Sequence, residues 1–314
     1  MEMMPVGKSW LSWKMLAFLG LRMVVGIPLG SGSDISLAGR SQSRSVSTSV
    51  NLASRGRAWK PNVGDSWQIV LSSPIKVNTQ AMSPNVAVWD LDLYDNSVDT
   101  FRALQTAGKR VICYFSAGSW ESYRDDANQF RESDLGNVMD GWPDERWLDT
   151  RSSNVRSIMK ARIAYAAKKG CDAVDPDNID AYGNDTGLKL KKSDAINYMK
   201  FLSKTAASYG MSIGLKNSAE IIPSILDYVD FSIVEQCIEY EECETYAPFI
   251  DAGKPVFHIE YPRGAPNKIS TSMVNKICKS PDTAGFTTVM KKLNLDGGAR
   301  YCGSGQVYST KTQK

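Results

Sequence analysis

Acidic side chains recur in this sequence at alternating positions within short apolar, β-rich runs. Asp90 and Asp92 alternate with Ala87, Trp89, Leu91 and Leu93, and Asp175 and Asp177 alternate with Val174 and Pro176. Glu235 ends the series Phe231, Ile233, Glu235, and Glu260 shares the parity of His258. Successive side chains of a strand point to opposite faces. If the apolar sets face covering helices, the acids of all four runs turn inward, and Lys216 joins them opposite Met211, Ile213 and Leu215. Any one of these acids alone would be explained by a salt bridge or a loop cap. Together they would crowd like charges, and each charge within about 4–6 Å disfavours ionisation of its neighbour. A site that needs one protonated and one ionised carboxyl uses that cost. Two carboxyls flanking a bond are what glycoside hydrolysis requires, one giving a proton to the leaving oxygen and the other acting as nucleophile or as base on water.

Charge and composition narrow the possibilities. His258 is the one histidine, which excludes sites built on several histidines, and no cysteine spacing suggests a metal. The proposed chemistry calls for no cofactor. A net charge of +3 is too small to argue for nucleic acid. Residues 1–60 hold eight basic and two acidic side chains, a balance of +6 that leaves −3 for 61–314. The segments 171–185 and 235–244 each carry five acids and no base. Such a mouth repels polyanions and attracts a cationic substrate, and an amino-sugar polysaccharide is the natural candidate.

The elements that must position these residues follow from periodicity. β-rich runs are expected at 67–72, 86–94, 110–118, 171–178, 211–217, 231–237, 255–261 and 286–293, with helical spacing at 155–169, 194–209 and 220–228. Gly108, Gly170, Gly210 and Gly253 each precede a strand, the pattern of a helix stop. Repeated β/α units of this number predict a (β/α)8 TIM barrel with its site at the C-terminal strand ends; a doubly wound sheet is the competing α/β arrangement. The connection 119–170, after the third strand, is a long loop insertion carrying Trp120, Trp142 and Trp147. It would wall the mouth, its aromatics either stacking on sugars or forming a small cluster that pins the loop.

Residues 1–38 read as a secretory signal peptide or signal anchor, with a misassigned start as the remaining alternative: the apolar run 15–29 is short for a membrane span. Residues 39–58 read as a flexible Ser/Arg-rich linker, leaving 59–314 as the folded domain, expected to be secreted and monomeric. The spacing suggests bridges Cys237–Cys243 and Cys278–Cys302, with Cys113 and Cys171 either buried thiols or a third bridge.

The segments WDLDLYDN from Trp89, GKRVICYFSAGSWE from Gly108, WLDTRS from Trp147, KGCDAVDPDNIDAY from Lys169, GLKN from Gly214, EQCIEYEEC from Glu235 and AGKPVFHIEY from Ala252 resemble glycoside hydrolase family 114, the endo-α-1,4-polygalactosaminidases. The resemblance implies a (β/α)8 barrel, Asp177 and Glu235 as the catalytic pair, and internal cleavage of partly deacetylated α-1,4-linked galactosamine polymer. Lys216 would hold Asp177 ionised as nucleophile, and acidic neighbours would raise Glu235 for proton donation, a retaining arrangement. Asp90, Asp92, Asp175, Asn178, Lys216, His258 and Glu260 would bind or tune around the sugar, with Tyr114 and Tyr261 as ring contacts. Another α-glycosidase, such as an α-galactosidase, or a non-catalytic carbohydrate-binding barrel are the alternatives.

Overall fold

A computed structural model of the protein describes residues 58–313. The segments read as leader and linker lie outside the described residues, apart from residue 58. Among the described residues no helix is long and apolar enough to cross a membrane.

In chain order the elements are β1 (Trp67–Val70), β2 (Val88–Asp92), α1 (Val98–Thr106), β3 (Arg110–Ser116), β4 (Ser119–Glu121), β5 (Leu135–Met139), β6 (Trp142–Leu148), α2 (Ser153–Lys169), β7 (Ala173–Asp177), α3 (Lys192–Ser208), β8 (Ser212–Lys216), α4 (Ile222–Ile225), β9 (Phe231–Glu235), α5 (Ala247–Asp251), β10 (Val256–Glu260), α6 (Thr271–Cys278), β11 (Thr287–Met290), β12 (Gly298–Tyr301) and β13 (Val307–Ser309). The expected runs became β1, β2, β3, β7, β8, β9, β10 and β11, paired in that order and all parallel. The architecture is a TIM-barrel-like curled sheet. Among the described residues no ladder joins β11 to β1. Instead β12 and β13 extend the sheet antiparallel from β11. The seam is bridged by the Trp67 indole donating to the Thr287 carbonyl at 2.9 Å and by Leu71 N–H donating to Leu295 O at 3.1 Å.

Helix ends follow the glycine reading. At Gly170 the backbone turns left-handed (φ 96°) and its N–H caps the Ala166 and Ala167 carbonyls, closing α2. The helical pattern at 220–228 instead breaks into short turns around α4, where Pro223 in the first turn removes a backbone donor.

Two layers form the core. Trp67, Ile69, Val88, Ile112, Ala173, Phe231, Ile233, Phe257, Ile259 and Val289 fill the barrel interior, while Trp89, Leu91, Val174, Ile213, Leu215 and Val256 pack outward with the helices. Each fully buried large apolar side chain contributes about 1.5–3 kcal/mol. This partition matches the expected parity of β2, β7, β8 and β9. It corrects β10, where Phe257 and Ile259 face the interior and His258 and Glu260 lie on the helix side with Val256. The polar pair is tolerated there because its partners are built in: His258 Nδ1 lies 2.9 Å from Thr288 Oγ1, and Nε2 lies 2.9 Å from Glu260 Oε1.

The long connection after β3 is also more ordered than a loop. It folds into a three-stranded antiparallel sheet in the order β4-β6-β5. Trp147 is buried with Met139 and Ala181, and the Trp120 indole donates to Ala127 O, whereas Trp142 is 53 % exposed. Of these three tryptophans, Trp142 alone is exposed.

All six cysteines are paired: Cys237–Cys243 and Cys278–Cys302 as read from spacing, and Cys113–Cys171 as a third bridge. The third closes a separation of 58 residues between β3 and the start of the next barrel strand, against 6 for Cys237–Cys243. Chain entropy assigns the long closure about 4 kcal/mol and the short one about 2 kcal/mol. Replacing Cys113 and Cys171 by Ala should therefore lower the urea midpoint about twice as much as replacing Cys237 and Cys243. Equal shifts in chemical denaturation would contradict this ranking.

Candidate active site

Three neighbouring strands end on the residues in question: β7 on Asp177, β8 on Lys216 and β9 on Glu235. Just past each end the chain turns through a left-handed residue, Asn178 (φ 64°), Asn217 (φ 48°) and Gln236 (φ 60°). Non-glycine residues reach this region at a cost, least for Asn, and pay it where the surroundings fix them. The surroundings do so here. Ala117 N–H and Gly118 N–H both donate to the Asp177 carbonyl at 3.0 Å. A Cβ on Gly118 would lie 1.8 Å from Asn178 O, so glycine is required for that approach.

Lys216 lies between the two catalytic candidates, its Nζ 3.4 Å from Asp177 Oδ2 and 3.1 Å from Glu235 Oε2. Asp177 further accepts from Tyr114 OH at 2.9 Å and from Asn178 N–H at 2.8 Å. Glu235 accepts from Tyr261 OH and, at 3.2 Å, from Asn217 Nδ2. The Asp177 and Glu235 side chains are 18 % and 21 % exposed, open to a ligand, while Lys216 at 2 % is sealed beneath them.

The electrostatics correct one expectation. Burial pushes the Glu235 carboxyl up, but the Lys216 ammonium and the Tyr261 and Asn217 donors outweigh it and hold the group below the usual carboxylate range. Glu235 is therefore ionised in the resting site, contrary to the expectation that acidic neighbours raise it. Burial likewise opposes charge on Lys216, but Asp177, Glu235 and Asp175 keep it well above its ordinary value. Burial, and then the neighbouring carboxylates, raise Tyr114 and Tyr261, so both remain neutral donors.

Asp90 and Asp175 form the floor, both fully buried, and none of their carboxyl oxygens finds a backbone or cationic partner among the described residues. Burial and the charge of Asp175 hold Asp90 well above the carboxylate range; burial, opposed by Lys216, brings Asp175 to about 7. One proton held by the pair is the state this favours.

The remaining expected residues are placed differently. Asp92 is withdrawn from the mouth: its oxygens take Arg124 at 2.7 Å and 3.3 Å and the N–H groups of Tyr94 and Asp95 at 2.8 Å. Arg124 also pairs with Glu121, and Arg162 with Asp126, so Asp92 anchors the inserted sheet. Asn178 turns its amide to Ser116 Oγ at 2.8 Å. His258 does not enter the carboxylate site; it lies 3.3 Å from Cys237 Sγ, whose oxidation in the bridge to Cys243 leaves no thiolate to join it in binding a metal. Glu260 accepts the Ile238 N–H at 2.8 Å and fixes the chain leaving β9. Glu145 and Ser119, from the insertion, and Asp180, raised to about 6 by burial and then by Asp177, are site residues that the sequence did not reveal. Their segments hold no barrel position from which parity could place them.

Comparison with known proteins agrees with this geometry. Residues 48–307 match the model of glycoside-hydrolase family GH114. The structure is similar to that of Aspergillus fumigatus Ega3 in complex with galactosamine, at 46 % identity and TM-score 0.75, over 79 % of this chain and 99 % of that one. It is also similar in fold to the glycoside hydrolase domain of PelA from Pseudomonas aeruginosa, at 12 % identity and TM-score 0.57, over 79 % and 99 % of the two chains. Among curated proteins none matches. With a family match over most of its length and a close structural relative, the chain belongs to glycoside hydrolase family 114 and is a glycoside hydrolase.

Proposed function

We propose that the protein is a secreted, monomeric endo-hydrolase of partly deacetylated α-1,4-linked galactosamine polymer, acting with retention through Asp177 as nucleophile and Glu235 as acid and then base. The Lys216 contacts carry the mechanistic part. Laid end to end, 3.4 Å and 3.1 Å limit the separation of Asp177 Oδ2 and Glu235 Oε2 to about 6.5 Å. Inverting pairs stand about 6.5–9.5 Å apart to admit a water, and retaining pairs about 5–5.5 Å. The limit favours direct attack by Asp177.

The chemistry divides accordingly. Tyr114 OH, Asn178 N–H and Lys216 Nζ contact the Asp177 carboxylate and aim it. Glu235 must take up a proton before the glycosidic oxygen leaves, then remove one from water to release the sugar. The substrate class is supported by the acidic mouth and by the galactosamine bound in the similar Ega3 structure. Three disulfides favour an oxidising compartment.

The test is incubation of the protein with partly deacetylated and fully acetylated α-1,4-galactosamine polymer and with chitosan. New reducing ends with a rapid fall in polymer size from the partly deacetylated material are expected. Cleavage of chitosan alone, or release of single sugars only, would overturn this reading.

A further inference from the structure

One motif of the sequence plays no part in the hydrolysis. Asn184-Asp185-Thr186 is the sole Asn-x-Ser/Thr triplet of the chain. Such a triplet accepts an N-linked oligosaccharide in a secretory compartment, the setting that three disulfides favour. A three-residue motif is weak by itself, and its place in the fold decides what it is worth.

Asn184 lies in the connection between β7 and α3, and it is exposed, as are Gly183 and Asp185. The backbone around it is fixed. Asn184 N–H donates to Ala181 O at 3.2 Å, and Thr186 N–H donates to Asn184 O at 2.9 Å. From β5, Asn137 donates its N–H to Thr186 O at 2.9 Å and its Nδ2 to Asp185 O at 3.1 Å. Arg151 Nη2 donates to Leu188 O at 3.0 Å on the far side. The loop therefore presents Asn184 to solvent at a defined point. Its Nδ2 donates to Asp180 O at 3.0 Å. A primary amide has two N–H hydrogens and a sugar linkage takes one, so this contact survives attachment. Asp180 feels the charge of Asp177, which puts the root of an attached glycan on the rim of the mouth.

We infer that Asn184 carries an N-linked glycan that covers the β7–α3 connection at the rim of the mouth. This rests on the reading of the protein as secreted. In the attachment step the amide nitrogen displaces the pyrophosphate of a lipid-linked oligosaccharide: the N–C1 bond forms, the C1–O bond to pyrophosphate breaks, and the amide proton leaves with the lipid pyrophosphate. The cover has something to protect. Lys189 and Lys191 are exposed in the same connection, a few residues beyond Asn184, and exposed loops are where proteases nick a folded chain.

The test is production of the full chain in a yeast secretory host, with Asn184→Gln beside it, and peptide mapping before and after treatment with a glycan-releasing amidase. From the wild type, the reduced tryptic peptide 170–189 should appear free of sugar only after the amidase, with the Asn184 amide converted to a carboxyl. The variant should yield the bare peptide directly. Folded protein stripped of its glycan should be cut by trypsin after Lys189 or Lys191 several-fold faster than the glycosylated protein. Disulfide-bonded, secreted protein with a bare Asn184 overturns the inference and leaves the secretion reading standing. Equal rates of trypsin cutting overturn the covering role. Protein retained in the cell with reduced cysteines overturns the secretion reading, and this inference with it.

Discussion

Asp177→Asn and Glu235→Gln should each lower polymer cleavage by about 10³-fold, within the range expected when a positioned catalytic carboxyl is lost. The folded state should survive both changes. Each is isosteric, and each removes a negative charge from a mouth that holds more acids than its one buried lysine can answer. The two variants should separate on a substrate with a good leaving group, such as α-galactosaminyl fluoride. Departure of fluoride needs no proton, so Glu235→Gln should regain the first step, whereas Asp177→Asn should not. The measurement is initial rates on polymer and fluoride with circular dichroism as a check of folding. Equal recovery of both variants would contradict the assigned roles.

Replacing Lys216 should have the next largest effect and should change the pH profile. Its ammonium opposes the burial that would otherwise raise Glu235. A general acid works in its protonated form, present below its pKa. A Glu235 held low therefore places the alkaline limb of kcat/KM on the acid side. Lys216→Met removes the opposing charge, so the pKa of Glu235 rises and the limb moves to higher pH, by about one unit or more for an ion pair this close. The rate at the optimum should still fall about 100-fold, because the positive charge between the two carboxylates is lost. Leaving those carboxylates uncompensated should also cost about 3–5 kcal/mol of stability at neutral pH. A pH profile with an unmoved alkaline limb would show that Lys216 does not govern Glu235.

Much of this was legible in the sequence because strand parity and glycine helix stops are local signals. Asp175, Asp177, Lys216 and Glu235 face inward as alternation required, since the opposite faces of their strands pack against helices. Parity misled on β10. There both faces are buried, and a His–Glu pair is accommodated on the helix side by Thr288 and the chain after β9. The β4-β6-β5 sheet was hidden for a different reason: β6 is largely exposed over its first half and β5 shifts register, so neither shows the alternation of a half-buried strand. Glu145 was missed with it. The protonation of Glu235 was misjudged because composition counts its acidic neighbours, whereas the outcome depends on how closely Lys216, Tyr261 and Asn217 approach.

Attack by Asp177 on a galactosaminyl unit, with Glu235 managing the proton, is best tested by intact-mass and peptide-mapping measurement of Glu235→Gln mixed with α-galactosaminyl fluoride. Glycosylation needs no acid with this leaving group, and release is slowed without the base, so the glycosyl-enzyme should accumulate. A mass gain of one galactosaminyl residue, located on the peptide containing Asp177, is the expected result. Fluoride release with no adduct, or an adduct on another residue, would contradict it.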